Sequence, residues 1–158
     1  MIYDIVSVKE YDGPKCKVYT LQRQGSEVTM FGEFIKEMQT KYPQKLMVIN
    51  NKLETIVKET GAEDIFFNDE YGTMQTQLSA LPGPEIRLFC IRIDRTLIII
   101  GDGGIKGKGK STSDHPKLEV KRKRMFQLAE AFYKKKKSGD INCGVVNPIL
   151  SGDLKLEI

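Results

Sequence analysis

The sequence predicts an α+β fold in which helices pack against a small antiparallel sheet. Two apolar, β-branched runs, 86–93 and 97–100, are separated by Asp94-Arg95-Thr96 and indicate a central β-hairpin. Three other segments carry apolar residues at helical spacing. Strands and helices do not alternate along the chain, so the repeated βα units of a parallel sheet are absent.

An additional β-hairpin is predicted at the N-terminus. Residues 2–8 and 17–22 alternate partly between apolar and polar side chains, and they flank the turn-forming sequence Tyr-Asp-Gly-Pro-Lys at 11–15. The chain then enters its first helical segment.

Two consecutive helices are predicted between residues 26 and 61. Ser26 is in a position to cap the first helix, and Pro43 suits the start of the second, which we expect to stop at Gly61. The two helices should pack as an antiparallel pair joined at 41–43. The apolar positions of the first helix are Phe31, Phe34, Ile35, Met38 and Tyr42, and those of the second are Leu46, Ile49, Leu53, Ile56 and Val57.

The segment before the central hairpin gives a mixed signal. Residues 62–72 resemble a loop, whereas 73–81 alternate with period two and predict a strand that places Met74, Thr76, Leu78 and Ala80 on one face. The central hairpin has apolar residues at successive positions, so both of its faces should be covered at the centre of the sheet. After it, five glycines and three lysines in 101–110 predict a flexible cationic loop.

The last third of the chain predicts a basic helix and an edge strand. Asp114 is a candidate cap, Pro116 fits the first turn, and Ser138-Gly139 suits the end of the helix. Residues 154–158 alternate like a half-buried edge strand. Because no repeat or linker interrupts the chain, we expect 1–158 to form a single domain. The core positions of the third helix are Leu118, Met125, Leu128, Ala129 and Phe132.

Positive charge is concentrated in one stretch. The chain has a net charge of +4, but residues 103–137 contain twelve Lys or Arg and three carboxylates, a local charge of +9 that leaves −5 elsewhere. Such a block favours an anionic partner, either nucleic acid or an acidic protein segment; the alternative is a solvated helix face. The candidate RNA-binding residues are Lys108, Lys110, Lys121, Arg122, Lys123 and Arg124.

Few residues are suited to metal or triad chemistry. The chain has one histidine, His115, which we interpret as a helix-start residue, and three widely spaced cysteines. We therefore expect no metal and no cofactor. The letters of a nucleotide phosphate loop occur at 104–111, but Pro116 delays the following helix, which favours a general anion-binding loop. Without a long apolar run or a leader pattern, the chain is predicted to be soluble and cytoplasmic.

The order of elements and the sequence EIRLFCIRIDRTLIIIGDGGIK at 85–106 resemble the RelE/HigB-type toxins of bacterial toxin-antitoxin modules, and more closely their uncharacterised bacterial relatives. The resemblance covers roughly residues 26–137. It implies a sheet that receives messenger RNA at the ribosomal decoding site and cuts it through the RNA 2′-hydroxyl. It also implies a ribosome or RNA partner and a protein antitoxin.

The resemblance further implies that basic residues of the central strands and adjoining loop stabilise charge at the phosphorus. By position, the candidate catalytic residues are Arg87, Arg92 and Lys106. Arg87 and Arg92 differ in parity on one strand, so we expect only one of them at the active surface. The tail carries Lys155 but no His or Tyr, and the alternative function is a non-catalytic basic module that binds nucleic acid or protein on the same fold.

Overall fold

A computed structural model describes residues 1–107, 115–144 and 147–158. It confirms the α+β class: the described residues form three α-helices, one six-stranded sheet and one two-stranded sheet. None of the described helices is long and apolar enough to cross a membrane.

The large sheet is mixed, which corrects the expected antiparallel arrangement. Its strands are β1 (Ile2–Ser7), β2 (Lys17–Arg23), β3 (Ser79–Gly83), β4 (Ile86–Arg92), β5 (Leu97–Ile105) and β8 (Lys155–Glu157). They lie in the order β3-β4-β5-β2-β1-β8, and β2 and β5 run parallel while the other neighbours are antiparallel. The parallel pair is possible because two helices, β3 and β4 lie between β2 and β5 along the chain, which is a connection long enough for a crossover.

The strands at both ends of the chain lie where the sequence predicts them. β1 and β2 form the N-terminal hairpin, with Tyr3 opposite Arg23, and β8 pairs with the other edge of β1. A separate two-stranded sheet, β6 (Ile141–Cys143) with β7 (Leu150–Gly152), was not predicted. Its strands have three residues each and are too short to show periodicity.

The two predicted helices are present as α1 (Met30–Lys41) and α2 (Pro43–Thr55), joined by Tyr42. Thr29, not Ser26, caps α1: its Oγ1 accepts a hydrogen bond from the Gly32 amide at 3.0 Å. Ser26 instead accepts from the Val28 amide in the preceding turn. After α2 the chain continues as one π-helical turn, Ile56–Thr60, and stops at Gly61, as predicted, with φ of 79°.

The strand predicted at 73–81 is wrong in its first half, because β3 begins only at Ser79. Residues 73–76 form a turn in which the Thr73 amide donates to the Thr76 carbonyl at 2.8 Å. Met74, predicted to share a face with Leu78 and Ala80, is 93% exposed, whereas those two residues are buried. Alternation over so few residues therefore did not distinguish a strand from a turn with occasional apolar side chains.

The glycine-rich segment is also not a loop from its start, because β5 extends to Ile105. Gly103 lies opposite Leu88, and a Cβ atom at Gly103 would collide with the Arg87 carbonyl oxygen. Glycine is needed here for close strand contact, not for flexibility. The pairing shifts between Leu88 and Cys90, so two residues of β5, Gly101 and Asp102, oppose one residue of β4 as in a β-bulge.

The basic helix α3 spans Pro116–Ser138, with His115 at the N-cap position and Gly139 in the left-handed conformation after its end. Asp114, the predicted cap, lies outside the described residues. The sheet separates two apolar clusters. One contains the five predicted core residues of α3, and the other contains the apolar faces of α1 and α2.

Candidate nucleic-acid interface

Tyr71 lies at the centre of a group of cationic side chains. It belongs to the connection between α2 and β3, and its ring packs edge-on against Phe89 of β4 with centroids 5.3 Å apart. The residue is buried on the α3 side of the sheet. Arg87, Lys106 and Arg122 all reach it, and we name these four residues the Tyr71 cluster.

Arg87 is held firmly beside Tyr71. Its Nε donates to the Tyr71 hydroxyl at 3.2 Å, and its Nη1 donates to the carbonyls of Gly83 and Ile86 at 2.9 and 2.8 Å. Those carbonyls flank the tight turn between β3 and β4, where Glu85 adopts a φ of 61°. The turn therefore fixes the guanidinium, while its Nη2 has no hydrogen-bond partner among the described residues.

Lys106 follows β5 directly and points toward the same tyrosine. Its ammonium nitrogen lies 6.0 Å from the centroid of the Tyr71 ring and 3.7 Å from a carboxylate oxygen of Glu70. The Lys106 backbone amide donates to the Glu85 carbonyl, which continues the β4-β5 ladder by one more bond. Extension of β5 through the glycine-rich segment is therefore what places Lys106 at the cluster.

Arg122 brings α3 to the cluster. Its Nη1 donates to the Tyr71 carbonyl at 3.2 Å, while Nε and Nη2 form a forked ion pair with Glu119, one turn earlier in the helix. The hydrogen bond to Glu119 raises the pKa of Arg122. The guanidinium thus stays charged and oriented at the edge of the site.

Two further residues at this site carried no usable sequence signal. The imidazole Nε2 of His115 accepts a hydrogen bond from the Gly107 amide at 3.1 Å, so the single histidine lies beside the residue that follows Lys106. Lys52 of α2 donates to the Pro82 carbonyl, and its pKa is lowered by burial and by the positive charge of Arg87. Neither proximity follows from spacing along the chain, because each depends on tertiary packing.

Arg92 is not part of the cluster. Its Nε donates to the Ala62 carbonyl at 2.6 Å, and its Nη1 pairs with Asp64 at 2.9 Å. It lies five strand positions from Arg87, roughly 16 Å away, and has the opposite parity. Of the three predicted catalytic residues, the structure therefore brings Arg87 and Lys106 together and leaves Arg92 beside the loop that follows α2.

The predicted RNA-binding residues occupy different environments. Lys121 contacts Glu37 at 2.8 Å, Asp102 at 3.4 Å and the Gly103 carbonyl at 2.9 Å, so it ties α3 to α1 and β5. Lys123 is exposed, and Arg124 lies on the far side of α3 from Tyr71. The remaining two, Lys108 and Lys110, lie outside the described residues.

The Tyr71 cluster has the properties of a phosphate site. Three cations from different parts of the fold converge on one tyrosine: Arg87 on its hydroxyl, Lys106 over its ring and Arg122 on its backbone carbonyl. Arg87 is oriented by backbone carbonyls before any ligand arrives. Among the described residues, no group of three or more His, Cys, Asp or Glu side chains is arranged to hold a metal ion. Preorganised cations of this kind stabilise negative charge that develops on a phosphoryl group.

Comparison of the chain with protein-family models, with curated proteins and with solved structures finds no match.

Proposed function

We propose that this protein binds RNA at the Tyr71 cluster and cleaves its backbone, as a RelE/HigB-like toxin that acts on messenger RNA at the ribosome. The observation that supports the proposal is the convergence of Arg87, Lys106 and Arg122 on Tyr71, with His115 beside Gly107, the residue that follows Lys106. The RelE/HigB resemblance of residues 85–106 agrees with it, since two of the three cations lie in that stretch.

In the proposed reaction the 2′-oxygen of a ribose attacks the adjacent phosphorus, and the bond from phosphorus to the 5′-oxygen breaks. The products are a 2′,3′-cyclic phosphate and a 5′-hydroxyl. Arg87 and Lys106 stabilise the additional negative charge on the phosphoryl oxygens. His115 accepts the proton of the 2′-hydroxyl at Nε2 once the bound RNA has displaced the Gly107 amide from that nitrogen.

Tyr71 supplies the second proton transfer in this proposal. Its hydroxyl accepts a hydrogen bond from Arg87, which leaves the phenolic proton available to the departing 5′-oxygen. Tyr71→Phe keeps the packing on Phe89 but removes the proton donor, so it should lower cleavage while leaving RNA binding nearly unchanged.

A second candidate function is a non-catalytic module that binds RNA through the same surface. Two observations favour it: Arg122 is already paired with Glu119, and Lys106 lies near Glu70. Cations that are already neutralised by carboxylates hold a bound RNA strand in position more readily than they stabilise a transition state. The partners in either case are RNA or the ribosome and, for a cytoplasmic toxin, a protein antitoxin.

Translating ribosomes incubated with the purified protein test the proposal directly. We expect site-specific cleavage of messenger RNA by the unmodified protein and a loss of about 10²-fold in rate for Lys106→Met, which removes one charge near the phosphorus. Lys136→Met is the matched control, because Lys136 is exposed at the far end of α3. Binding without cleavage by the unmodified protein would favour the non-catalytic module.

A further inference from the structure

A surface pocket lined by two arginines lies on the side of α3 opposite the Tyr71 cluster. Its volume is about 210 Å³, and it is lined by Arg23 at the end of β2, Arg124 of α3 and Glu33 of α1. Tyr3 and Met30, which are both buried, form apolar parts of its wall. It is separate from the Tyr71 cluster, which faces β3 and β4.

Within the described part of the chain, neither Arg23 nor Arg124 has an ion pair. Lys121 and Arg122 are engaged by carboxylates, whereas no carboxylate in the described part of the chain lies within ion-pair distance of Arg23 or Arg124. Two guanidinium groups that share a concave site and lack partners are well suited to a phosphate, whose oxygens accept their forked hydrogen bonds.

The pocket is connected to the Tyr71 cluster by a band of positive charge across α3. At 3.6 residues per turn, Arg122, Lys123 and Arg124 point in directions about 100° apart. Arg122 faces Tyr71, Lys123 faces solvent, and Arg124 faces the pocket. Since a helix with its side chains is about 10–12 Å wide, a single strand that crosses it would reach from one site to the other.

We infer that the Arg23–Arg124 pocket binds a ribose-phosphate unit of single-stranded RNA. Arg23 and Arg124 hold the phosphate, and the Glu33 carboxylate accepts a hydrogen bond from the ribose 2′-hydroxyl, the group that distinguishes RNA from DNA. That the same strand also occupies the Tyr71 cluster rests on the function proposed above. The pocket itself is a binding site that takes no part in the cleavage step.

Salt dependence of RNA binding tests the two arginines. The probe is a fluorescein-labelled oligouridylate of about 12 nucleotides, a length within the usual range for single-strand sites. Each neutralised phosphate on a single strand contributes about −0.7 to the log-log slope, and the two arginines hold one phosphate, so Arg23→Gln/Arg124→Gln should reduce the magnitude of the slope by about 0.7. The control Lys134→Gln/Lys136→Gln removes two exposed charges elsewhere on α3 and should leave the slope unchanged.

The ribose contact is tested with the deoxyuridine version of the same oligonucleotide. Glu33→Gln should reduce the preference for RNA over DNA, whereas Glu130→Gln, an exposed carboxylate further along α3, should not. In the unmodified protein, the oligouridylate should also shift the backbone amide resonances of Ser26 and Val28, which line the pocket. This last measurement needs no variant and so does not depend on how well a variant folds.

The results separate this inference from the proposed cleavage. Equal slopes for the two double variants, or no amide shifts at the pocket, would overturn the pocket even if Lys106-dependent cleavage is observed. A smaller slope for Arg23→Gln/Arg124→Gln alone would support the pocket even if no cleavage of messenger RNA occurs.

Discussion

Asp102 is a buried carboxylate at the β-bulge next to the candidate site. It is 6% exposed, accepts a hydrogen bond from the Gly103 amide at 2.8 Å and faces the Lys121 ammonium. Burial raises the pKa of Asp102, while Lys121 and the Gly103 amide oppose that rise and Glu37 adds to it. Folding therefore favours the protonated form of this residue.

Asp102→Asn should change how stability depends on pH. A carboxyl group whose folded pKa exceeds its unfolded value binds more protons in the folded state, so its contribution to stability declines as pH rises through that interval. The unmodified protein should thus lose stability relative to Asp102→Asn as pH rises from about 4, the usual pKa of Asp. Urea unfolding of both proteins across this interval measures their free energies of unfolding. The assignment would be contradicted if the value for the unmodified protein minus that for Asp102→Asn stayed constant or increased as pH rises.

The residues of the candidate site were predictable to different degrees. Arg87 and Lys106 were candidates because of their position in the RelE/HigB resemblance, which also named Arg92, and the structure places Arg92 at Ala62 and Asp64 instead. Tyr71 and Lys52 were missed, since they reach the site from a loop and from a helix whose positions depend on packing. His115 was interpreted as a helix-start residue, and the structure adds its contact with Gly107.

At the scale of elements, the length of β5 determines where the candidate site forms. The sequence predicted a strand only as far as Ile100, because glycine is uncommon inside strands and was interpreted as a loop signal. The structure shows a different use of glycine, since the chain pairs with β4 as far as Ile105 and leaves no room for a Cβ atom at Gly103. Helix positions, by contrast, were predicted well, because apolar stripes of three or more turns are unambiguous.

Substitution of the β5 glycines tests whether Gly103 is required for the close pairing of β5 with β4. Gly103→Ala should lower the free energy of unfolding by about 1–3 kcal/mol, since the new methyl group would collide with the Arg87 carbonyl and the Phe34 ring. Gly104→Ala is the matched control: its Cβ would meet the side chains of Leu118 at 3.4 Å and Lys121 at 4.0 Å, which are ordinary contact distances. Urea denaturation of both variants gives the comparison. Equal effects would mean that Gly103 is not required for close strand pairing.

At the scale of the molecule, charge is distributed around α3. The segment 103–137 carries +9, and three of its cations on α3 have different roles in the structure. Lys121 fastens α3 to the sheet, Arg122 joins the Tyr71 cluster, and Arg124 lines the pocket on the opposite side. A count of charges along the chain could not separate these roles, because neighbouring residues of a helix face different directions.

The parallel pairing of β2 with β5 also has a consequence for how the chain folds. Val18 and Ile98 are fully buried partners in this pair but are eighty positions apart, so their contact closes a long loop. Closing such a loop costs entropy before any contact compensates for it, which delays non-local pairings in the folding reaction. The β4-β5 hairpin needs only a short closure and should form earlier.

We therefore expect Val18→Ala to accelerate unfolding and to leave the refolding rate almost unchanged, with a φ-value below about 0.3. Ile91→Val, in the β4-β5 hairpin, should slow refolding instead. Stopped-flow chevron plots in urea measure both rates. A high φ-value at Val18 would mean that the two halves of the sheet are already joined in the transition state.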